Sequence, residues 1–360
     1  MQNTAKKEEL QRALLKRDPL SVIDDGVRDF YKNKSILITG GGGSVGSEIC
    51  LCIARCRPSR IVIFDIYENN AFMLSQKLLR IYKDEIEICV EIGSVQDRDC
   101  IEALFKKYSF DVVFHAAAHK HVHLMENNPA EAVKNNVFGT YIVADAAERH
   151  SCERFILIST DKAIHPVSVM GATKRLCEMI TSCRTSGKTS FSAVRFCNVF
   201  ASEGSVIPLF RCQIEEGGPI LITDKRMTRY FMTVTEAAEL LMAAGAMASC
   251  GELYALNIGE KVNMYEMAKS LVEAEGHRPE VDIKIVETGA RPGERLSEEL
   301  FLGENLVRTE NELIYIEKEK PLSREAVDNK LKLLSEAVKT GDSGKIKKTL
   351  AEAVPTYTAL

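Results

Sequence analysis

An apolar run, Ser35-Ile-Leu-Ile-Thr39, leads straight into Gly40-Gly-Gly-Gly-Ser-Val-Gly46 and then into the helix-forming stretch Glu48 to Ala54. Few folds accommodate that order. Glycines let the backbone turn sharply and approach a neighbour closely, and the helix start behind them offers unpaired amides and the positive end of a dipole. The combination predicts a βα unit of an open sheet whose turn cradles a phosphate.

The unit is repeated along the chain. Arg60-Ile-Val-Ile-Phe64, Ile86-Glu-Ile-Cys-Val90, Val112-Val-Phe114, Phe155-Ile-Leu-Ile158 and Phe191-Ser-Ala-Val-Arg195 are short β-rich runs separated by helical stretches. Parallel strands joined by right-handed crossovers follow, hence an α/β fold with a doubly wound parallel sheet of the Rossmann type. After about residue 200 the rhythm loosens into Gly217-Gly-Pro219, a short strand Ile220–Ile222 and a helix from Thr235 to about Ala248. A smaller α/β substrate lobe is expected there, over the carboxyl edge of the sheet, where open sheets bind ligands. The expected division is a leader over 1–34, a cofactor-binding core over 35–200, a mainly substrate-binding lobe over 201–320 with the chain returning to the core, and a helical extension over 321–360. Within the leader, which reads as polar and helical, Asp24, Asp25 and Gly26 break the pattern. The charged extension reads as peripheral or as used in assembly.

Composition removes several function classes. With 45% hydrophobic residues in 360 there is material for a large core. A net charge of -4 and a pI near 6.1, with scattered lysines and arginines, leave no footprint for nucleic acid. No apolar run approaches the roughly 20 residues that span a bilayer. The opening MQNTAKKEELQR lacks the apolar stretch of a signal peptide, so a cytoplasmic location is expected. The eleven cysteines are odd in number and show no zinc spacing, so they read as reduced thiols with no metal site; Cys50, Cys52 and Cys56 read as helix packing. His119, His121 and His123 alternate without a supporting carboxylate pattern and read as a loop lining a pocket.

The cofactor can be narrowed further. Asp65 closes the second strand, where a carboxylate accepts both ribose hydroxyls of NAD and repels the extra phosphate of NADP. Gly40, Gly43, Ser44, Val45 and Gly46 form the phosphate turn. Ser94 and Val95 end the third strand, where adenine is expected, and Ala116, Ala117 and Ala118 are small enough for a dinucleotide to lie against the backbone.

The spacing Gly40-x-x-Gly43-x-x-Gly46, with Ser159 and Lys174, resembles the extended short-chain dehydrogenase/reductase family. Six further runs make the resemblance more specific: His115 to Glu126, Asn135 to Thr140, Ser159 to Arg175, Gly204 to Pro208, Met227 to Met232 and Arg291-Pro-Gly-Glu-Arg295. Over about residues 34 to 305 the chain is similar to the nucleotide-sugar 4,6-dehydratases of polysaccharide biosynthesis. That resemblance implies NAD-dependent dehydration of UDP-N-acetylglucosamine. Oxidation at sugar C4 makes the C5 proton acidic, a base removes it, an acid protonates the departing C6 hydroxyl, and hydride returns to C6.

Roles carry over residue by residue. The resemblance implies that Thr160 orients the C4 hydroxyl, that Asp161 is the acid toward the C6 hydroxyl, and that Lys162 is the base at C5. Such a base must be partly neutral, which burial near Lys174 and the oxidised nicotinamide favours. Ser159 and Lys174 belong to the nicotinamide side. Met170 stands where the family's tyrosine is expected, one helical turn before Lys174. It is similar to the subgroup that retains C5 configuration, usually large membrane-bound proteins. Methionine transfers no proton, so Asp161, Lys174 or an ordered water receives that of the C4 hydroxyl. The stretch from Leu15 onward resembles what precedes the large members' catalytic domain, which suggests a soluble version or an excised domain.

For the substrate, Arg229 and Arg291 are candidate diphosphate clamps, since guanidinium groups grip phosphate in bidentate fashion. The resemblance places Asn198, Ser205, Val206 and Glu294 near the nucleotide, and Lys120 and His121 within reach of the sugar or the nicotinamide. It also implies a homo-oligomer. The run Arg195-Phe-Cys-Asn-Val-Phe-Ala201 departs from the family's Arg-Phe-Gly-Asn-Val-Leu-Gly, which puts sugar specificity in doubt at Cys197 and Ala201. Two other readings use the same cofactor motif. Met170 and the Asp161-Lys162 pair count against a sugar-nucleotide epimerase, and the intact Asp161, Lys162 and Lys174 count against a non-catalytic NAD-binding regulator.

Overall fold

The computed structural model describes residues 11, 14, 15, 17, 18, 20–257, 259–301 and 305–359. The expected leader helix therefore falls partly on residues outside the described ones. Helix α1 (Asp25–Tyr31) is followed by β1 (Ser35–Thr39), α2 (Ser44–Ala54), β2 (Arg60–Asp65), α3 (Glu68–Tyr82), β3 (Glu87–Ile92), α4 (Arg98–Lys107) and β4 (Val112–His115). Two short helices, α5 (Val122–Asn127) and α6 (Pro129–Ala132), run through a π-helical turn (Val133–Phe138) into α7 (Gly139–Arg149). Then come β5 (Arg154–Ile158), a 3-10 turn (Asp161–Ala163), α8 (Val169–Ser182), β6 (Ser190–Arg195), β7 (Asn198–Val199), α9 (Val206–Glu215), β8 (Ile220–Ile222), β9 (Thr228–Met232), α10 (Val234–Met247) and β10 (Glu252–Leu256). The chain ends with β11 (Lys261–Asn263), α11 (Met264–Ala274), β12 (Ile285–Glu287), β13 (Leu306–Arg308), β14 (Ile314–Glu317), α12 (Arg324–Lys339) and α13 (Ser343–Ala353).

The main sheet has the order β13-β14-β10-β6-β5-β4-β1-β2-β3, parallel from β3 to β10, with β14 and β13 antiparallel at one edge. Its strand order reverses between β1 and β4, the switch point at which doubly wound sheets open a crevice. The period of two in β1 assigns the two faces. Leu37 packs with Val62, Val113, Phe155 and Leu157 under α4, α7 and α8, while Ile36 and Ile38 pack with Ile61, Ile63 and Phe114 under α2 and α10. Every residue of β1 is buried. Truncating such a side chain, for instance Leu37→Ala, costs about 2–5 kcal/mol.

Two expectations are corrected. Asp24, Asp25 and Gly26 open a helix rather than break one: the Asp24 carboxylate accepts the Val27 amide at 2.8 Å and caps α1. The C-terminal extension is not peripheral. Val327, Leu331 and Leu334 of α12 and Ile346 and Leu350 of α13, spaced for one helical face, are buried in the same cluster as Val169, Met170 and Leu176 of α8. Beyond β6 a third cluster, including Phe200, Ile207, Phe210, Ile220, Met267, Leu271 and Ile285, gathers α9, α11, the β11-β9-β7 sheet and the β12-β8 pair.

Candidate functional site

At the switch point the glycine turn is forced by sterics. Gly40 has φ +67°, and a Cβ there would lie 2.7 Å from the Ala117 amide nitrogen. A Cβ at Gly46 would lie 2.1 Å from the Gly40 carbonyl oxygen, so α2 begins closer to β1 than any side chain permits. Gly43 caps α2 without a side-chain acceptor, leaving the first-turn amides around Ser44, Val45 and Gly46 to meet an outside anion. Asp65 accepts the Gly42 amide at 2.8 Å and the Tyr67 amide at 2.9 Å, which fixes its carboxylate at the mouth of the turn. Ala116 is tied to β1 through its amide and the Thr39 carbonyl at 3.0 Å. The Ser94 hydroxyl accepts the Gln96 amide at 3.2 Å, and Val95 is buried, where a Cβ on Gly139 of α7 would meet it at 2.7 Å.

The catalytic candidates meet at the carboxyl end of β5. Thr160 precedes the 3-10 turn and donates its hydroxyl to Asp161 Oδ1 at 2.9 Å. Asp161 is 2% exposed, and its Oδ2 has no hydrogen-bond partner among the described residues. Lys162 Nζ donates to Asp161 Oδ1 at 2.9 Å and to Asn198 Oδ1 at 3.3 Å, with Glu298 Oε1 at 3.9 Å. Burial presses Lys162 toward neutrality, but the charges of Asp161 and Glu298 outweigh it and hold its pKa above the ordinary lysine value. Of the causes expected to make this lysine partly neutral, burial acts in that direction but is outweighed by the neighbouring carboxylates. Lys174 does behave as expected of a buried amine. Burial lowers its pKa against the opposing pull of Cys177 and Glu178, and its Nζ donates to the Ile158 carbonyl at 2.6 Å. Met170 is 4% exposed. Ser159 is buried and donates its hydroxyl to Glu178 Oε1 at 2.6 Å.

The substrate candidates divide into two groups. Asn198 joins the Lys162 contact, and its Nδ2 donates to the Tyr230 carbonyl at 3.2 Å. Ser205 immediately precedes α9, whose first residue is Val206, and its buried hydroxyl, like the buried Glu294 Oε2, has no partner among the described residues. Lys120 Nζ donates to the Glu203 carbonyl at 2.8 Å, and the Glu203 amide donates to Ser44 Oγ at 3.0 Å, so this loop reaches the glycine turn. His121 lies against Gly204, where a Cβ would meet its ring at 2.7 Å. Burial, then the neighbouring Lys120, His123 and His119, lower its pKa. Arg229 is already engaged, donating to the carbonyls of Thr228, Leu296 and Arg295 at 2.8, 3.2 and 2.8 Å. It fastens the 295–298 segment over Lys162, whereas Arg291 is exposed.

Sequence reasoning missed a polar chain behind the site. His115 bridges Thr39 Oγ1 at 2.8 Å and Thr140 Oγ1 at 3.0 Å, and burial, with the Lys174 charge, lowers its pKa to about 3. Asn136, in the π-helical turn, donates to the His119 carbonyl at 3.1 Å and to Thr173 at 3.0 Å, bracing α8. Beside Ser159, Glu178 takes a bidentate pair from the buried Arg195 at 2.8 and 2.7 Å. A visible signal existed: Thr39, His115 and Arg195 are polar residues ending otherwise apolar strand runs.

A crevice at the switch point, a glycine turn in contact with the β4 extension, and the Asp161–Lys162 ion pair at the end of β5 define the class, an extended short-chain dehydrogenase/reductase fold. The family described as "Polysaccharide biosynthesis protein" matches residues 36–319, and the chain belongs to it. The "Probable polysaccharide biosynthesis protein EpsC" of Bacillus subtilis is 47% identical over 298 residues, covering 82% of this chain and 50% of that protein, so the chain spans about half that relative's length. The X-ray structure of Pen from Bacillus thuringiensis superposes with a TM-score of 0.73 at 33% identity, covering 82% of this chain and 92% of Pen. DesIV, a dTDP-glucose 4,6-dehydratase from Streptomyces venezuelae solved with NAD bound, superposes at 0.65 with 20% identity over 74% of this chain and 88% of its own, a likeness of fold. No described helix is long and apolar enough to cross a membrane.

Proposed function

We propose that the chain uses NAD to dehydrate UDP-N-acetylglucosamine to a UDP-4-keto-6-deoxy-N-acetylhexosamine, with retention at C5. The observation that carries this reading is the pair of buried Asp161 and half-buried Lys162 at the end of β5, whose second carboxylate oxygen has no partner among the described residues. A buried acceptor without a partner costs about 1–3 kcal/mol, so its retention beside a cleft favours a ligand that completes it.

The residues fit the cofactor. The glycine turn has no room for a Cβ at Gly40 or Gly46, and Asp65 stands fixed at its mouth. The amides of Ser44, Val45 and Gly46 would hold the pyrophosphate, Asp65 the ribose, and Lys174 the nicotinamide side. NAD, when bound, supplies oxidation at C4 and reduction at C6. The protein's own work is proton transfer. Asp161 and Glu298 hold the Lys162 pKa above its ordinary value, so the amine rests protonated and must give up a proton before it can act as the base at C5. Passing one proton over the 2.9 Å from Nζ to Oδ1 produces a neutral amine for the C5 proton and a protonated carboxyl for the C6 hydroxyl without changing net charge. A sugar that displaces water from the cleft disfavours the ionic form and drives that transfer. Thr160, hydrogen-bonded to Asp161, is placed to orient the C4 hydroxyl, and Lys174, its pKa lowered by burial, is a candidate to receive that hydroxyl's proton.

Incubation with UDP-N-acetylglucosamine, followed by mass spectrometry and NMR in deuterated water, tests the reading. Loss of one water with retained C5 configuration is expected. A new sugar of unchanged mass means epimerisation, and absence of turnover refutes the assignment.

A further inference from the structure

Helices α12 and α13 lie beyond residue 319, where the family match ends, yet both pack into the cluster that buries α8. Lys347 Nζ on α13 donates to Glu126 Oε2 at 2.9 Å. The other oxygen of Glu126 accepts the Val169 amide at 2.5 Å, at the first residue of α8 and next to Met170. Further along, the Thr358 amide donates to the Pro166 carbonyl at 2.9 Å. A Cβ at Gly293, in the Arg291–Glu294 turn, would lie 3.0 Å from Ser168 Cβ and 3.5 Å from Glu126 Oε1. Glu126 thus sits where α5, α8, α13 and the substrate turn converge.

The arrangement solves a capping problem. The first amides of a helix have no intrahelical acceptor. In α8, Ser168 Oγ accepts the Gly171 amide at 3.1 Å and Glu126 accepts that of Val169, so one cap is local and the other comes from a carboxylate clamped by the C-terminal helix. Lys347 and Glu126 are 36% and 15% exposed, shielded enough for the charge to orient the cap.

We propose that Glu126 and Lys347 are positioning residues: their ion pair sets the register of α8, and with it Met170 and Lys174, against Lys162, making the C-terminal helices a working part of the site. The proposal rests on the reading of Asp161, Lys162 and Lys174 as reacting groups. Full-length Lys347→Met and Glu126→Gln, with Lys347→Arg as the conservative variant, are compared by amide hydrogen exchange, thermal unfolding and steady-state kinetics on UDP-N-acetylglucosamine. Lys347→Met and Glu126→Gln are expected to exchange faster across residues 161–171, with 35–65 unchanged. Their kcat should fall roughly tenfold or more at near-constant KM, as for a misplaced reacting group, and Lys347→Arg should restore it. Unchanged exchange over 161–171 overturns the proposal, as does a kcat loss that Lys347→Arg fails to restore. A wild-type protein that leaves the sugar nucleotide intact refutes the dehydratase reading instead, and the exchange arm alone then decides whether the ion pair sets α8.

Discussion

Gly171→Ala is the most informative single change, because two opposing terms can be weighed from the structure. Gly171 lies in the first turns of α8, where alanine would gain about 1 kcal/mol of helix propensity. The added Cβ, however, would sit 2.3 Å from the Lys162 carbonyl oxygen and 3.2 Å from both its carbon and Pro166 Cβ. Those atoms belong to the turn that carries Asp161 and Lys162. Restoring ordinary contact distance requires a relative shift of about 1 Å. Such overpacking costs about 1–3 kcal/mol, so net stability falls by roughly 0–2 kcal/mol and the protein still folds. Activity suffers more: a 1 Å displacement of reacting groups is worth about 10²-fold in rate, or about 2.7 kcal/mol of barrier. The assay is kcat for loss of water from UDP-N-acetylglucosamine alongside thermal unfolding, with Gly187→Ala as control, since the nearest atom to a Cβ there is 3.6 Å away. Wild-type kcat in Gly171→Ala would falsify the claim that α8 and the 3-10 turn are locked in register.

Lys162→Met and Asp161→Asn should each lower kcat by about 10²–10⁴-fold while NAD still binds, checked by fluorescence titration; retained turnover sinks the acid–base assignment. His115 titrates at about 3 in the folded chain, below its unfolded value near 6.5, so its contribution to stability is complete above about 6.5. It is lost as pH falls toward 3, at about 1.4 kcal/mol per pH unit, because the unfolded chain takes up the proton first. Urea unfolding at pH 7 and pH 5 should show a smaller difference in His115→Gln than in wild type, and equal differences would remove His115 as the cause. Ala201 holds φ +53°, the left-handed region. There an L side chain costs about 1–2 kcal/mol, so Ala201→Gly, after its own entropic cost of about 0.5–1 kcal/mol, should stabilise by about 0–1.5 kcal/mol; a lower melting temperature contradicts the strain.

Features with local causes could be read from the sequence. Strand positions follow from β-branched runs, and the short Ile220–Ile222 strand was expected with the bounds it has. The glycine turn announced its own geometry because close backbone approach admits no other residue. What stayed hidden depends on contacts far apart in the chain. Arg229 looks from its letter like a phosphate clamp, but the structure engages it with the carbonyls of residues 295 and 296. The raised pKa of Lys162 owes most to Asp161 beside it, but its second support, Glu298, lies 136 positions away and is invisible to any local pattern. Asp24 was misread because an aspartate followed by another and a glycine suits both a break and a cap, and the apolar Val27 and Tyr31 that decide the matter are buried only once α10 is in place.

These long-range contacts explain why the methionine is acceptable. Met170 is buried in the apolar cluster that the C-terminal helices complete. A phenol at that position would bring a hydroxyl that must find a partner or cost about 1–3 kcal/mol. In the reaction proposed above, proton transfer then falls to Asp161 and Lys162 of the 3-10 turn and to Lys174 of α8. A site that keeps its reacting groups on one helix has their spacing fixed by that helix. Here they are divided between two elements, so the spacing depends on how turn and helix are joined. The Gly171 contact against the Lys162 carbonyl and the Glu126 cap on Val169 are such joints, and substitutions there should cost rate out of proportion to stability.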